Sequence, residues 1–408
     1  MPTAPVLILD NGGSSIKAGL STEDVAPRII SNSVVKPKGA AGSKLYIGHE
    51  IELCKDFFGL YYRRPFEKGI LTDWDVEKAV WDKTFSSDCL NLTPRSLSLL
   101  VTEPPFNLPV VQETYDQLVF EEYQFKSYFR CPPAALAPYG DLFKEPNQPA
   151  PECCVIVDSG FSFTHVIPIM SGSIVWSSVR RIDIGGKLLT NHLKEIVSFR
   201  HWDMMEHTYV MNEVKEKCCY VSNTFTQDLE ATQVNSRKNP IVQEYVLPDF
   251  SANRAGYIRK GPNATPREPS PATIDDAVLY MSNERFTVPE VLFHPSDIGL
   301  DQAGLPRTIA ASITSLPEDL QGLFWANIGL IGGNFNIPGI ETRLEMELRA
   351  LAPPEHKVGL YKASDPITAA YHAAHKFAST QKAQFASLSV TKAEYEEGGS
   401  NACLKKFK

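Results

Sequence analysis

The sequence predicts an α/β protein made of two similar halves that face each other across a ligand cleft. Three observations carry this. An apolar strand that ends in an Asp and a turn of small polar residues occurs at residues 6–15 and again at 155–160. Strand-length apolar runs alternate with amphipathic stretches of helical length, the pattern of layered α/β folds. A third strand ends in Gly332-Gly333 and leads into another helix pattern. At 408 residues the chain exceeds one ordinary core and implies two to three compact units.

In order along the chain, Val6-Leu7-Ile8-Leu9 is a buried-strand run. It ends in Asp10-Asn11-Gly12-Gly13-Ser14-Ser15 and resumes at Ile16-Lys17-Ala18-Gly19-Leu20, a hairpin signal. Val155-Ile156-Val157, then Asp158-Ser159-Gly160, then residues 163–169 repeat that pattern one domain length later. Residues 187–199 place Leu189, Leu193, Ile196 and Val197 on one helical face. Val210, Val214, Cys218 and Val221 form a second stripe; Ile340, Leu344, Leu348 and Leu351 form a third, closed by Pro353-Pro354. Residues 37–44 and 251–273 read as loops. The second is long, rich in proline and basic, and two readings stand for it: solvated disorder and partner binding.

Composition excludes several classes. Apolar residues make up 43% and charged residues 22%, as in globular proteins. Lys plus Arg number 40 against 48 Asp plus Glu, and a net charge of −8 speaks against a dedicated nucleic-acid reader. The 30 prolines outnumber the 25 glycines and predict many loops and stopped helices. The eight cysteines contain no C-x-x-C pair, so reduced, mostly buried thiols are expected rather than a zinc site or a disulfide framework. The N-terminus carries no signal-peptide pattern, and the longest uncharged stretch, 161–178, is interrupted by His165, Pro168 and serines. A soluble intracellular protein is expected, with the sequons at Asn91 and Asn263 as chance matches.

Two facing strand–Asp–turn units are suited to phosphate. Gly12, Gly13 and Ser14, with Ser159 and Gly160 opposite, let backbone N–H groups approach an anion closely. Asp10 and Asp158 would meet across the cleft and share a hydrated Mg²⁺. Lys17 could reach phosphate as a point charge. Taken singly, each Asp reads more readily as a strand-end cap or turn former; taken with the glycine turns, phosphate binding is favoured. The Gly-Gly turn at 332–333 would let a nucleoside lie flat. Walker A and G-x-G-x-x-G patterns do not occur in the required contexts.

LDNGGSSIKAG resembles the first phosphate loop of the actin superfamily, VDSGFSFTHVIP the second, and GLIGGNFNIPG the adenosine loop. YRRPFEKGILTDWDVEKAVWDKTF, LLVTEPPFN, NERFTVPEVLFHPSDIG, LAPPEHK and VTKAEYEEGG have actin-like counterparts in the same order. FEEYQF, IDIGGKLLTNHLKEI, YVLPDF and DPITAAY resemble the sixth class of nuclear actin-related proteins.

The resemblance implies a ribonuclease-H-like duplicated fold with four subdomains: residues 1–31, 65–148 and 358–408; 32–64; 149–184 and 289–357; and 185–288, with the 251–273 insertion. It implies ATP or ADP with Mg²⁺, held through water by Asp10 and Asp158. Asn11, Gly12, Gly13, Ser14 and Lys17 would form the first phosphate loop, and Ser159 and Gly160 the second. Lys215 and Glu216 would flank ribose and adenine, Gly332, Gly333 and Asn334 would form the adenosine loop, and Lys357 would flank the adenine. It further implies a nuclear protein in a complex that exchanges the Z-type histone variant into nucleosomes. Its partners there would be a remodeller ATPase subunit and a small zinc-HIT-type subunit, with histones met indirectly. The 251–273 insertion and the groove near Tyr371 and the C-terminal segment are the expected contact surfaces, and deletion of 254–271 is expected to leave the fold standing. The terminal lysines 405, 406 and 408 read as a solvated tail or a DNA contact.

Departures from the family pattern set the expected activity. Members that hydrolyse ATP orient the attacking water with a glutamine; here Pro133 stands at that position, and proline has no side-chain donor or acceptor. The acidic residue expected after the second loop's glycine is Phe161. His165 remains, readable as half of a water-positioning pair or as a packed histidine. With no catalytic residue assigned, a nucleotide-loaded scaffold is expected, the alternative being a slow ATPase with a conformational cycle. The short loop at 37–44 and ITAAYHAAHKFA near the C-terminus, in place of a Trp-Ile-Gly-Gly pattern, argue against filament formation.

Overall fold

The computed structural model describes residues 4–23, 26–38, 44–55, 57–143, 150–233, 239–249, 255–264 and 277–407. Its frame is two six-stranded sheets of matching construction. In the first, Val6–Asn11 pairs antiparallel with Ser15–Leu20 and parallel with Ser98–Thr102. In the second, Cys153–Ser159 pairs antiparallel with Thr164–Met170 and parallel with Ile328–Ile331. The lead strand of each sheet is buried along almost its whole length, as its unbroken apolar run requires. Each delivers its Asp to the carboxyl end of the parallel strands, where α/β sheets bind ligands. The duplication predicted from the two hairpin signals is thus the architecture.

The halves are joined at two places. The helix Pro133–Leu136 packs Ala134, with Ala137 and Phe143 behind it, against Cys154 and Ile156 of the second sheet. The helix Ala369–Thr380 returns the chain to the first half, burying Tyr371, Ala374 and Phe377 beside Val6 and Ile8. Tyr371 is 1% exposed, its ring filling the space beside Gly19, so its own side chain is not part of an exposed surface. Near the C-terminus, Lys406 bonds to Glu394 and to the Ser389 carbonyl, which places it in a folded helix, Ser400–Lys406, instead of a loose tail. Lys408 lies outside the described residues.

The helix stripes fold largely as read, but Ile196 is half-buried, and Val221, though buried, lies past the end of its helix at Cys218. Gly186–Arg200 buries Leu189, Leu193 and Val197; Thr208–Cys218 buries Val210, Val214 and Cys218; Ile340–Leu351 buries Ile340, Leu344 and Leu348. Leu351 ends the third of these helices on its exposed side. The cysteines are free, and all but Cys89 are buried. No helix among the described residues is long and apolar enough to cross a membrane.

Two smaller sheets cap the frame. Tyr46–Ile47, Val34–Pro37 and Leu60–Arg63 form a roof over Val35, Ile51, Cys54 and Leu60. Tyr257–Lys260, Gln243–Val246 and Val278–Met281 form the other. The first of these strands lies inside the segment read as a structureless loop. Ile258 anchors it in the core, and Glu244 pairs with Arg259 at 3.0 Å and with Lys260 at 3.9 Å, so these two basic residues belong to a strand; Arg254 and Arg267 lie outside the described residues. Deleting 254–271 would remove an edge strand of the fold, which corrects the expected tolerance. Residues 251–254 and 265–273 of that loop, and 39–43 of the shorter one, lie outside the described residues.

Candidate functional site

Between the halves lies a cavity of about 410 Å³. Its lining includes Asp10, Asn11, Gly12, Gly13, Ser14 and Lys17 from the first half. Asp158, Gly160, Lys215, Glu216, Gly332, Gly333 and Asn334 come from the second. The residues picked from three distant stretches of sequence therefore meet at one place. Ser159 sits directly beneath, its hydroxyl bonded to Thr164 at 2.7 Å and receiving the Asn334 amide at 3.0 Å.

Each loop is braced by its neighbours. Asp10 accepts a hydrogen bond from Thr102 at 2.8 Å and an ion pair from Lys17 at 3.3 Å. The Asn32 amide holds the Gly12 carbonyl at 3.1 Å. A side chain at Gly12 would press on the Ser15 carbonyl, so the turn takes no larger residue. On the other side, the Asn334 amide donates to the Gly160 carbonyl at 2.9 Å, tying the third loop to the second phosphate loop. Gly332, at φ +97, passes over the Ser159 backbone too closely for a Cβ.

The electrostatics mark a cation site. Burial and the nearby Asp10 charge push the Asp158 carboxyl up to about 7, with Lys17 offsetting part of this. Two facing carboxylates and one lysine suit a divalent ion that keeps its waters, and no cluster of three or more His, Cys, Asp or Glu ligands occurs among the described residues. The residues present fit Mg²⁺ held by Asp10 and Asp158.

Lys215 is buried, and its ammonium bonds to the Gly186 carbonyl, Thr190 and Asn212 at 3.3, 3.0 and 2.9 Å. Burial lowers its pKa. Glu216 is exposed at the rim and accepts from Asn212 at 2.7 Å. Lys215 thus shapes the wall through Asn212, while Glu216 is open to solvent or ligand.

Two residues that the resemblance implied for the site stand apart from the others. Lys357 is exposed and absent from the cavity lining, because it precedes Leu360–Lys362, at the end of the parallel strands opposite the glycine loops. Pro366 and Ile367, beyond the other end of that strand, line the cavity instead. Asn11 contributes to the wall, yet its amide is spent inside the first half, on Glu77 at 2.5 Å and Tyr115 at 2.7 Å. Its role is to fix the loop, which a position after a strand-end Asp does not by itself suggest.

Pro133, Pro104, Pro105 and His165 all line the cavity. Burial and the Arg181 charge lower the His165 pKa to about 4, so the ring is neutral. Phe161 also faces the cavity, and the Arg64 guanidinium stacks on it at 4.8 Å. Residues given no site role from the sequence are Thr102, Asn32, Asn212 and Phe66; Thr102 and Phe66 lie in the stretches LLVTEPPFN and YRRPFEKG, which resemble the family, whereas Asn32 and Asn212 sit in none of the quoted motifs.

Twin sheets with paired Asp-bearing hairpins around one cleft define an actin-type clamp, and the comparison with known proteins agrees. The actin family pattern matches residues 1–408, and the chain belongs to that family. It is an actin-related protein. It is 52% identical to the actin-like protein ARP6 of Cryptococcus neoformans, across all of this chain and 85% of that one. It is 39% identical to actin-related protein 6 of Neurospora crassa, over 100% and 95% of the two chains. Against actin-related protein 6 of Drosophila melanogaster it is 35% identical over 97% of each.

Proposed function

We propose that this protein is an ATP-binding, largely non-hydrolysing scaffold subunit of a nuclear chromatin-remodelling complex that exchanges the Z-type histone variant into nucleosomes. The observation that carries the non-hydrolysing part is Pro133 in the cavity lining. In hydrolysing relatives a glutamine is expected there, and a pyrrolidine ring can neither donate nor accept the hydrogen bond that orients water. Phe161 replaces a second polar group on the opposite loop and presents an apolar ring.

What the residues would do follows from their placement. The backbone of the first and second loops would hold the phosphates, and Lys17 would meet a phosphate oxygen. Asp10 and Asp158 would hold Mg²⁺ through its waters, and the ion when bound would neutralise phosphate charge. Asn334 and Lys215 would keep the nucleoside wall in shape. Ile367 and Pro366 would give the base an apolar surface. The partners in this reading are those the sequence resemblance implies: a remodeller ATPase subunit and a small zinc-HIT-type subunit, with histones met through them.

A slow ATPase is the second reading, favoured by His165, a neutral base candidate in the cleft wall. Denaturing extraction of nucleotide from the purified protein, followed by a single-turnover assay, separates the two. Extraction should yield ATP, and turnover should be negligible over hours. Turnover at the rate of a filament-forming actin would exclude the scaffold reading.

A further inference from the structure

In a chain of net charge −8, three cations gather beside the second phosphate loop, and none of them has a carboxylate partner among the described residues. Arg64 follows the strand Leu60–Arg63, and its guanidinium stacks on Tyr62 and on Phe161, each at 4.8 Å. Its neighbour Arg63 pairs with Asp73 at 2.9 Å. Arg64 donates no hydrogen bond among the described residues, and its Nε is buried without a partner. An arginine carries five donors. A buried polar group left unpaired is rare enough to call for an ion, a ligand or a water.

The other two cations lie on the helix Gly186–Arg200. The Lys187 N–H donates to the Phe161 carbonyl at 2.9 Å, so Lys187 and Arg64 hold the same residue. Lys187 is exposed, and it stands in the first turn of the helix, where no acidic residue offsets the positive end of the helix dipole. Lys194, two turns on and on the same face, is buried. It donates to the Met205 carbonyl at 3.2 Å and to the Thr208 hydroxyl at 3.0 Å, both neutral, which leaves one of an ammonium's three donors free. Burial lowers its pKa; Glu195 opposes this, and the Arg64 and Lys187 charges add to it, so the three cations feel one another. Phe161 stands where the family pattern expects an acidic residue, so a ring and not a carboxylate sits among them.

We propose that Arg64, Lys187 and Lys194 form a second anion site, outside the nucleotide cavity, for a compact ligand that carries several phosphates. None of the three lines the cavity, so the site is separate from the phosphate loops. Lys187 and Lys194 are about 10 Å apart along the helix axis, which suits a run of phosphates better than a single one. Three cations in a small volume call for dense negative charge. The Arg64 fork, stacked on two rings, is shaped to take two oxygens of one phosphate. The site stands whether or not the cleft holds nucleotide.

The test is calorimetric titration of tripolyphosphate into the full-length protein, at low salt and without Mg²⁺. Lys187→Gln and Arg64→Gln should each weaken binding by about tenfold, and Lys187→Arg should keep it. Lys187 is exposed, so its variants report on the site even where Arg64→Gln folds poorly. Wild-type affinity in Lys187→Gln, or no binding by the wild type, would overturn the proposal. So would loss of binding in Lys17→Gln with Lys187→Gln unchanged, since that would put the probe among the phosphate loops. A hexaglutamate peptide that binds where tripolyphosphate does not would make the ligand an acidic segment, and overturn the phosphate assignment.

Discussion

Glu77 lies under the first phosphate loop, fully buried, and carries the Asn11 amide on one oxygen. Burial pushes its carboxyl up to about 7, although its hydrogen bonds pull the other way. A carboxyl raised from its unfolded value near 4.5 favours the fold most at low pH, and that advantage is lost as pH rises through about 7. Glu77→Gln keeps the acceptor for Asn11 and removes the titration. Thermal melts should show the variant and wild type alike near pH 4, and the variant more stable at pH 8, by on the order of 2–3 kcal/mol. Equal stability at pH 8 would show that the carboxylate is not confined as the geometry indicates. At the same scale, Asn11 shows how a side chain beside the ligand serves the loop and not the ligand.

Among the elements, the glycine loop after the strand Ile328–Ile331 is tightly constrained at one of its two glycines. Gly332 and Gly333 are adjacent but not equivalent. Gly332 holds φ +97 against the Ser159 backbone, whereas a Cβ at Gly333 would meet only Ile367, at an ordinary 3.6 Å. Gly332→Ala should lower stability by about 1–3 kcal/mol and weaken nucleotide binding, while Gly333→Ala should leave the melting temperature near that of the wild type. Equal melting temperatures for the two variants would refute the close-approach argument. The strand Tyr257–Lys260 teaches a different lesson. Its neighbouring prolines and its basic residues read as a loop, and only pairing with Gln243–Val246 makes it a strand, since β structure is decided by what lies alongside.

For the whole molecule, the essential arrangement is that each half supplies one carboxylate. Asp158 is raised to about 7 because it is buried and because Asp10 approaches from the other half. A divalent ion needs the ionised form, so binding it must drive off the Asp158 proton. Affinity for Mg²⁺ with nucleotide, measured by titration calorimetry, should therefore strengthen between pH 6 and pH 8, with proton release near pH 6. Asp158→Asn should bind more weakly and lose this slope. A wild-type affinity that does not change across this interval would contradict the shared-carboxylate site. Nucleotide bound between the halves should also raise the melting temperature with ligand concentration, since the unfolded chain has no cleft.

By itself the sequence determined the repeated units. Unbroken apolar strands ending in Asp and glycine can be read without contacts, because strand burial and turn geometry are local requirements. So can the three helix stripes and the proline in the cleft wall, since a missing side-chain donor is a property of the residue. The tertiary structure decided what those units meet. Lys357 precedes the strand Leu360–Lys362 and is not in the cavity lining, whereas Ile367, beyond that strand's other end, is. Tyr371 turned inward because Gly19 left room for its ring. The roof's hold on His207 and Tyr209 joins residues about 150 positions apart, a pairing that no local pattern encodes, because aromatic contacts have no sequence period when their partners come from separate subdomains.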